Sequence, residues 1–135
     1  AGFSTTGSWT KATGQGFDND VQFAPAGNGS AQATWNFSGL TPGQYQVLAT
    51  WSPYANRATN APYTVLDSVG GTVLASATLN QQLTPSSETN GGASWQTIGT
   101  VNIVGSTLVV RLNNQANNYV IADAIQIRRI GSVVA

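Results

Sequence analysis

Histidine, cysteine and methionine are absent from this chain of 135 residues, and charge is scarce. Charged side chains make up 7% of the sequence, against the usual ~25% of a soluble domain. Each absence removes a class of function. Without cysteine there is no disulfide framework and no thiolate zinc site. Without histidine the commonest near-neutral acid–base group is missing. Only Asp18, Asp20, Asp67, Glu88 and Asp123 remain for such chemistry. A formal net charge of zero leaves no basic stripe for nucleic acid or an anionic membrane. No apolar run approaches the ~20 residues of a membrane-spanning helix. No charged-then-apolar leader opens the sequence at Ala1, as expected of a mature protein or an excised domain.

What is present is aromatic and neutral. Four tryptophans, four tyrosines and four phenylalanines are set among Thr, Ser, Asn, Gln and Gly. The length suits one domain, 1–135, that buries about two thirds of its unfolded surface. The apolar residues follow a period of two. Ala33, Trp35 and Phe37 alternate with Gln32, Thr34 and Asn36; Tyr45, Val47, Ala49 and Trp51 share a face, as do Leu108, Val110 and Leu112. This period marks strands with one buried face. Further runs lie at 21–24, 63–67, 72–78, 95–104 and 119–129. Turn chemistry punctuates them at Leu40-Thr41-Pro42-Gly43, Ser68-Val69-Gly70-Gly71 and Val104-Gly105-Ser106. In the first of these Gly43 is expected to supply any positive φ. No amphipathic helix is expected, beyond a helical turn near 55–59. About eight strands predict an all-β antiparallel sandwich, jelly-roll-like, with an immunoglobulin-like arrangement as the alternative.

Few residues carry recognisable chemistry. Asp123 shares strand parity with Ile121, Ile125 and Ile127, so a carboxylate is expected in the core. A buried charge needs a partner, and Arg57 is the one expected, as a structural ion pair. Asp18 and Asp20 are read as Asx caps of a turn, or as the start of a structural calcium site. No other cofactor is expected. Trp51, Tyr54 and Tyr63 are candidate ligand contacts, because sugars stack their C–H faces on aromatic rings. Asn56, Arg57 and Gln81 would supply polar partners to the hydroxyls. Trp9 and Trp95 follow glycine-rich stretches and are further candidates. Asn80-Gln81-Gln82 is read as amides that close backbone hydrogen bonds at a sheet edge, or that bind hydroxyls. No catalytic residue is assigned, since glycoside hydrolysis usually needs two facing carboxylates.

A series of elements carries a resemblance. Gly2-Phe3-Ser4 and Gly7-Ser8-Trp9 open the chain, and Ala33-Thr34-Trp35 leads into Gly39-Leu40-Thr41-Pro42-Gly43-Gln44-Tyr45-Gln46-Val47. Asn56-Arg57-Ala58, Ala61-Pro62-Tyr63, Asn80-Gln81, Trp95-Gln96-Thr97 and Ala122-Asp123-Ala124 follow in order. Together they resemble the golvesin / xanthan-lyase carbohydrate-binding-like domain over nearly the whole chain. The resemblance implies a bacterial, secreted or cell-surface β-sandwich module, with any catalysis in neighbouring domains of the parent chain. It places Trp51, Asn56, Arg57, Tyr63, Gln81 and Asp123 at matching positions. Two functions are expected from these readings. One is a non-catalytic module that anchors its protein to a neutral polysaccharide or cell-surface glycan. The other is a structural or adhesive spacer without a small ligand.

Overall fold

A computed structural model describes residues 2–17, 20–90 and 92–133. Among these residues there are twelve strands and no α-helix. In chain order they are β1 (Gly2–Thr6), β2 (Thr10–Thr13), β3 (Asp20–Ala24), β4 (Gln32–Phe37), β5 (Gly43–Thr50) and β6 (Ala61–Leu66). Then come β7 (Val73–Leu79), β8 (Glu88–Asn90), β9 (Ala93–Ile103), β10 (Leu108–Asn113), β11 (Val120–Ala122) and β12 (Ala124–Gly131).

The strands form two layers, and every ladder is antiparallel. One layer is a five-stranded sheet in the order β1-β4-β10-β6-β7. The other is split into a four-stranded sheet, β12-β5-β9-β8, and a three-stranded sheet, β11-β3-β2. The period-two faces meet between the layers. Ala33 and Trp35, Tyr63 and Val65, and Leu108, Val110 and Leu112 come from one side. Tyr45, Val47, Ala49, Val101 and Ile103 come from the other. This is the sandwich that the alternation predicts.

The count of about eight strands is low: β1, β2 and β8 fall outside the alternating runs, and the long run at 119–129 is not one strand. It breaks at Asp123: β11 pairs with β3, whereas β12 pairs with β5. Alternation records which side chains face inward; it does not record which neighbour a strand pairs with. The parity of Asp123 with the isoleucines is therefore interrupted, and its side chain is half-buried at the corner. A second correction concerns the 38–43 turn. Its left-handed residue is Gly39, at φ 67°, while Gly43 is already the first residue of β5.

The two ends of the sandwich differ. Gly2 pairs with Asn36 and Gly131 with Gln44, so both sit beside the 38–42 turn. That end is sewn together by turn-to-turn hydrogen bonds, Leu40 N–H to Ser106 O (2.9 Å) and Thr107 Oγ1 to Asp67 O (2.5 Å). At the opposite end, β5 runs out at Thr50 beside the start of β12, and the longer loops gather there.

Candidate functional site

The opposite end carries a cleft of about 600 Å³. Residues 14–17 from the β2–β3 loop and 50–54 from the end of β5 line it. Residues 84–85 before β8 and 92–94 at the start of β9 complete it. No lining residue among those described carries a charge.

Arg57 organises one wall of this cleft from behind. It is 7% exposed, and four of its five N–H donors are used by neutral oxygens. Nε donates to the Ser52 carbonyl (3.1 Å) and Nη1 to Asn56 Oδ1 (2.9 Å). Nη2 donates to Gln15 Oε1 (3.0 Å) and Ser52 Oγ (3.2 Å). Ser52 Oγ in turn donates to Gln15 Oε1 (2.6 Å). The guanidinium also lies 4.8 Å from the centroid of the Tyr54 ring, a cation–π contact of about 0.5–1 kcal/mol at a partly exposed site. One rigid fork therefore fixes three lining residues: Gln15, Ser52 and Tyr54. Burial lowers the Arg57 pKa from its ordinary value, and Tyr54 opposes that shift.

The Arg57–Asp123 ion pair expected from the sequence is not formed. The two ion pairs among the described residues are Lys11–Asp20 and Arg128–Glu88. Asp123 instead accepts the Phe17 backbone N–H at 2.8 Å, which ties the 14–17 loop to the β11–β12 corner. Gly16 makes that approach possible. Its φ is 78°, and a Cβ there would stand 2.6 Å from Asp123 Oδ2. Arg57 and Asp123 thus brace the same loop from two sides without touching each other.

The remaining walls are positioned as firmly. Thr50 Oγ1 donates to the Ser94 carbonyl (2.7 Å). The Trp51 indole N–H donates to the Leu83 carbonyl (2.8 Å), pinning the loop that carries Thr84 and Pro85. Phe17 packs against Trp95 at 5.6 Å between ring centroids. Tyr54 is the open aromatic surface, 57% exposed. Trp51 lines the cleft but is largely buried; Trp95 lies beneath Phe17; Trp9 sits by β1, its indole donating to Thr6 O (3.0 Å).

Two candidate ligand contacts require correction. Tyr63 is 1% exposed and Gln81 is 0% exposed, so neither reaches a ligand. Gln81 Nε2 donates to Tyr63 Oη (3.0 Å) and to the Ile121 carbonyl (2.9 Å), while its Oε1 accepts the Ile121 N–H (2.8 Å). The amide acts as a surrogate strand for β11, closing backbone bonds as one of the two readings of this segment expects. Gln82 does the same for the 54–57 turn, donating to the Ala55 and Arg57 carbonyls (3.1 and 3.0 Å). Burial pushes the Tyr63 hydroxyl well above the ordinary tyrosine range; the Gln81 hydrogen bond opposes this, and the Asp123 charge adds to it. Asn56 is exposed, outside the cleft lining, and spends its Oδ1 on Arg57.

Asp20 pairs with Lys11 at 3.5 Å across the β2–β3 hairpin; Asp18 lies outside the described residues. Gln15, Ser52, Thr84 and Ser94 were not found from the sequence. Gln15 sits between two glycines, Gly14 and Gly16, which reads as a bare turn. The only signal for it is its place at the loop end of the fold.

The described residues form a two-layer sandwich with a neutral, aromatic-edged cleft among its end loops. The chain belongs to the Golvesin C-terminal domain family, whose profile matches residues 1–129. Its fold is similar to part of a Paenibacillus xanthan lyase, at 31% identity over 96% of this chain and a TM-score of 0.75. The match spans 12% of that enzyme. It also resembles 27% of an exo-β-1,3-galactanase from Phanerochaete chrysosporium, solved with β-1,3-galactotriose, at 16% identity over 93% of this chain and a TM-score of 0.61. The C-terminal CBM6 of LamC, a marine laminarinase from Zobellia galactanivorans, is matched over its whole length and 95% of this chain, at 14% identity and a TM-score of 0.58. No curated protein sequence matches the chain.

Proposed function

We propose that this chain is a non-catalytic carbohydrate-binding module that works outside the cell and anchors the protein carrying it to polysaccharide. The observation that carries this reading is the braced cleft, with an exposed ring and neutral polar groups on rigid loops. Tyr54 offers a face to the C–H side of a sugar, and Gln15, Thr84 and Ser94 meet its hydroxyls. The Gln15 amide is oriented in advance. Its oxygen is held by Arg57 and Ser52, while its amino group has no protein acceptor among the described residues and remains for a ligand.

The described carboxylates have structural work, which supports a role without catalysis. Glu88 pairs with Arg128 and accepts the Asn90 amide, Asp20 pairs with Lys11, and Asp67 closes the 67–72 turn by accepting the Thr72 N–H (2.9 Å). Gly2 and Gly131 lie at the end of the sandwich away from the cleft. A weak site then acts by raising the local concentration of its partner on the polymer. The galactanase and laminarinase likenesses support polysaccharide as the ligand class through their fold. A spacer without ligand is the second reading. What favours it is that Tyr63, Gln81, Arg57 and Asp123, all positions of the family resemblance, work inside the fold.

Affinity electrophoresis through gels containing laminarin, β-1,3-galactan or xanthan separates the two. A binding module is retarded in at least one gel and loses retardation on Tyr54→Ala. Free migration in all three, and across a wider glycan panel, supports the spacer.

A further inference from the structure

A second hollow, of about 210 Å³, lies at the open edge of the sandwich between β7 and β9. Trp51 and Thr84 line both it and the cleft. The two therefore adjoin at Trp51 and the loop at 83–86. This bar is fixed at both ends. The Trp51 indole holds the Leu83 carbonyl at 2.8 Å, and Gln96 Oε1 accepts the Ser86 N–H (3.1 Å) and Oγ–H (3.3 Å).

The hollow has donors of the same kind as the cleft. Gln96 spends its oxygen on Ser86, and Asn80 spends its oxygen on the Gln82 N–H (3.0 Å). Their amino groups have no protein acceptor among the described residues. Leu83, on the bar itself, is 62% exposed and offers an apolar surface. At about 30 Å³ per water, the hollow holds the volume of about seven waters and the cleft about twenty. The first is the bulk of one sugar ring, the second that of several.

We propose that the ligand is a linear glycan gripped along its interior, lying across the 83–86 bar from the Tyr54 cleft into the hollow at Asn80 and Gln96. This rests on the carbohydrate-binding reading and adds to it a class of ligand: an extended chain rather than a terminal sugar. Affinity then grows with chain length until both sites are filled. Removing the hollow costs only the increment that the longer chain gains.

The test is calorimetric titration with disaccharides and hexasaccharides cut from laminarin, β-1,3-galactan and xanthan. In one series the wild-type protein binds the hexasaccharide at least about tenfold tighter, equal to ~1.4 kcal/mol. Thr78→Trp fills the hollow, and Gln96→Glu removes the amino donor while keeping an oxygen for Ser86, so both leave the bar's hydrogen bonds in place. Both reduce hexasaccharide affinity to the disaccharide level and leave disaccharide affinity unchanged, with thermal melts confirming that each variant folds. Equal affinity for the two lengths overturns the proposal, as does a hexasaccharide affinity that neither variant alters. In those cases loss of disaccharide binding in Tyr54→Ala still upholds the cleft as a sugar site. Binding of no fragment overturns both.

Discussion

Replacing Gln81 by leucine tests how the sandwich closes at its cleft end. The side chain is fully buried and makes three hydrogen bonds of 2.8–3.0 Å, two of them to the backbone of Ile121. Leucine has similar bulk but no polar atoms. The variant therefore strands the Ile121 N–H, the Ile121 carbonyl and the Tyr63 oxygen in a dry interior. Each buried unsatisfied group costs about 1–3 kcal/mol. Some of this is recovered because leucine is cheaper to bury than an amide, so the expected net loss is about 3–5 kcal/mol. That is a large part of the ~5–15 kcal/mol by which domains are stable. Urea unfolding followed by tryptophan fluorescence measures it as a drop in midpoint at unchanged slope. A loss below about 1 kcal/mol would mean that water reaches this amide and that β11 does not depend on it.

Other perturbations read different joints of the same end. Tyr63 is kept neutral by burial, with its pKa raised in the folded state; unfolded tyrosine ionises near ~10. The unfolded chain thus sheds this proton first, and stability falls as pH rises above about 10; Tyr63→Phe should flatten that alkaline slope in pH-dependent melts, and an unchanged slope would assign it elsewhere. Arg57→Lys keeps the charge but loses the fork that holds Gln15, Ser52 and Tyr54. It should cost about 1–3 kcal/mol of stability and weaken glycan binding about tenfold; wild-type affinity would show that the wall does not need the fork. Gly16→Ala adds a Cβ against Val21 and the Asp123 carboxylate at a left-handed φ. A loss of about 2–4 kcal/mol is expected, whereas a neutral change in the melting temperature would mean that the 14–17 loop is free to move away from Asp123.

The layers of the fold were legible because alternation is a local property. In β4, β5 and β10 each inward residue can be read from its neighbours, and Ala33, Trp35, Tyr45, Val47, Val110 and Leu112 all lie in the core. The break at Asp123 was not legible. The residues on either side of it, Val120-Ile121-Ala122 and Ala124-Ile125, are apolar and read as one strand, and only a change of pairing partner divides β11 from β12. The partner of Arg57 was hidden for a related reason. A buried charge needs hydrogen bonds, but neutral oxygens suffice, and Ser52, Asn56 and Gln15 give no electrostatic signal in a sequence. Of the candidate contacts, Trp51 and Tyr54 line the cleft because the end of β5 runs into it. Tyr63 and Gln81 looked equally apt by residue type, yet the β6 parity that buries Ala61 and Val65 also buries Tyr63, and Gln81 follows it inward to reach Ile121. Composition alone does not separate an amide that grips a ligand from one that completes a sheet.

The most direct measurement is an amide-resolved NMR titration of the protein with laminarin, β-1,3-galactan and xanthan oligosaccharides. A glycan site at the braced cleft predicts saturable shifts centred on residues 14–17, 50–54, 84–85 and 92–94, extending to 78–80 and 96 for longer chains, and their loss in Tyr54→Ala. Saturable shifts centred on another face, or no shifts with any of the three at millimolar concentration, would contradict it.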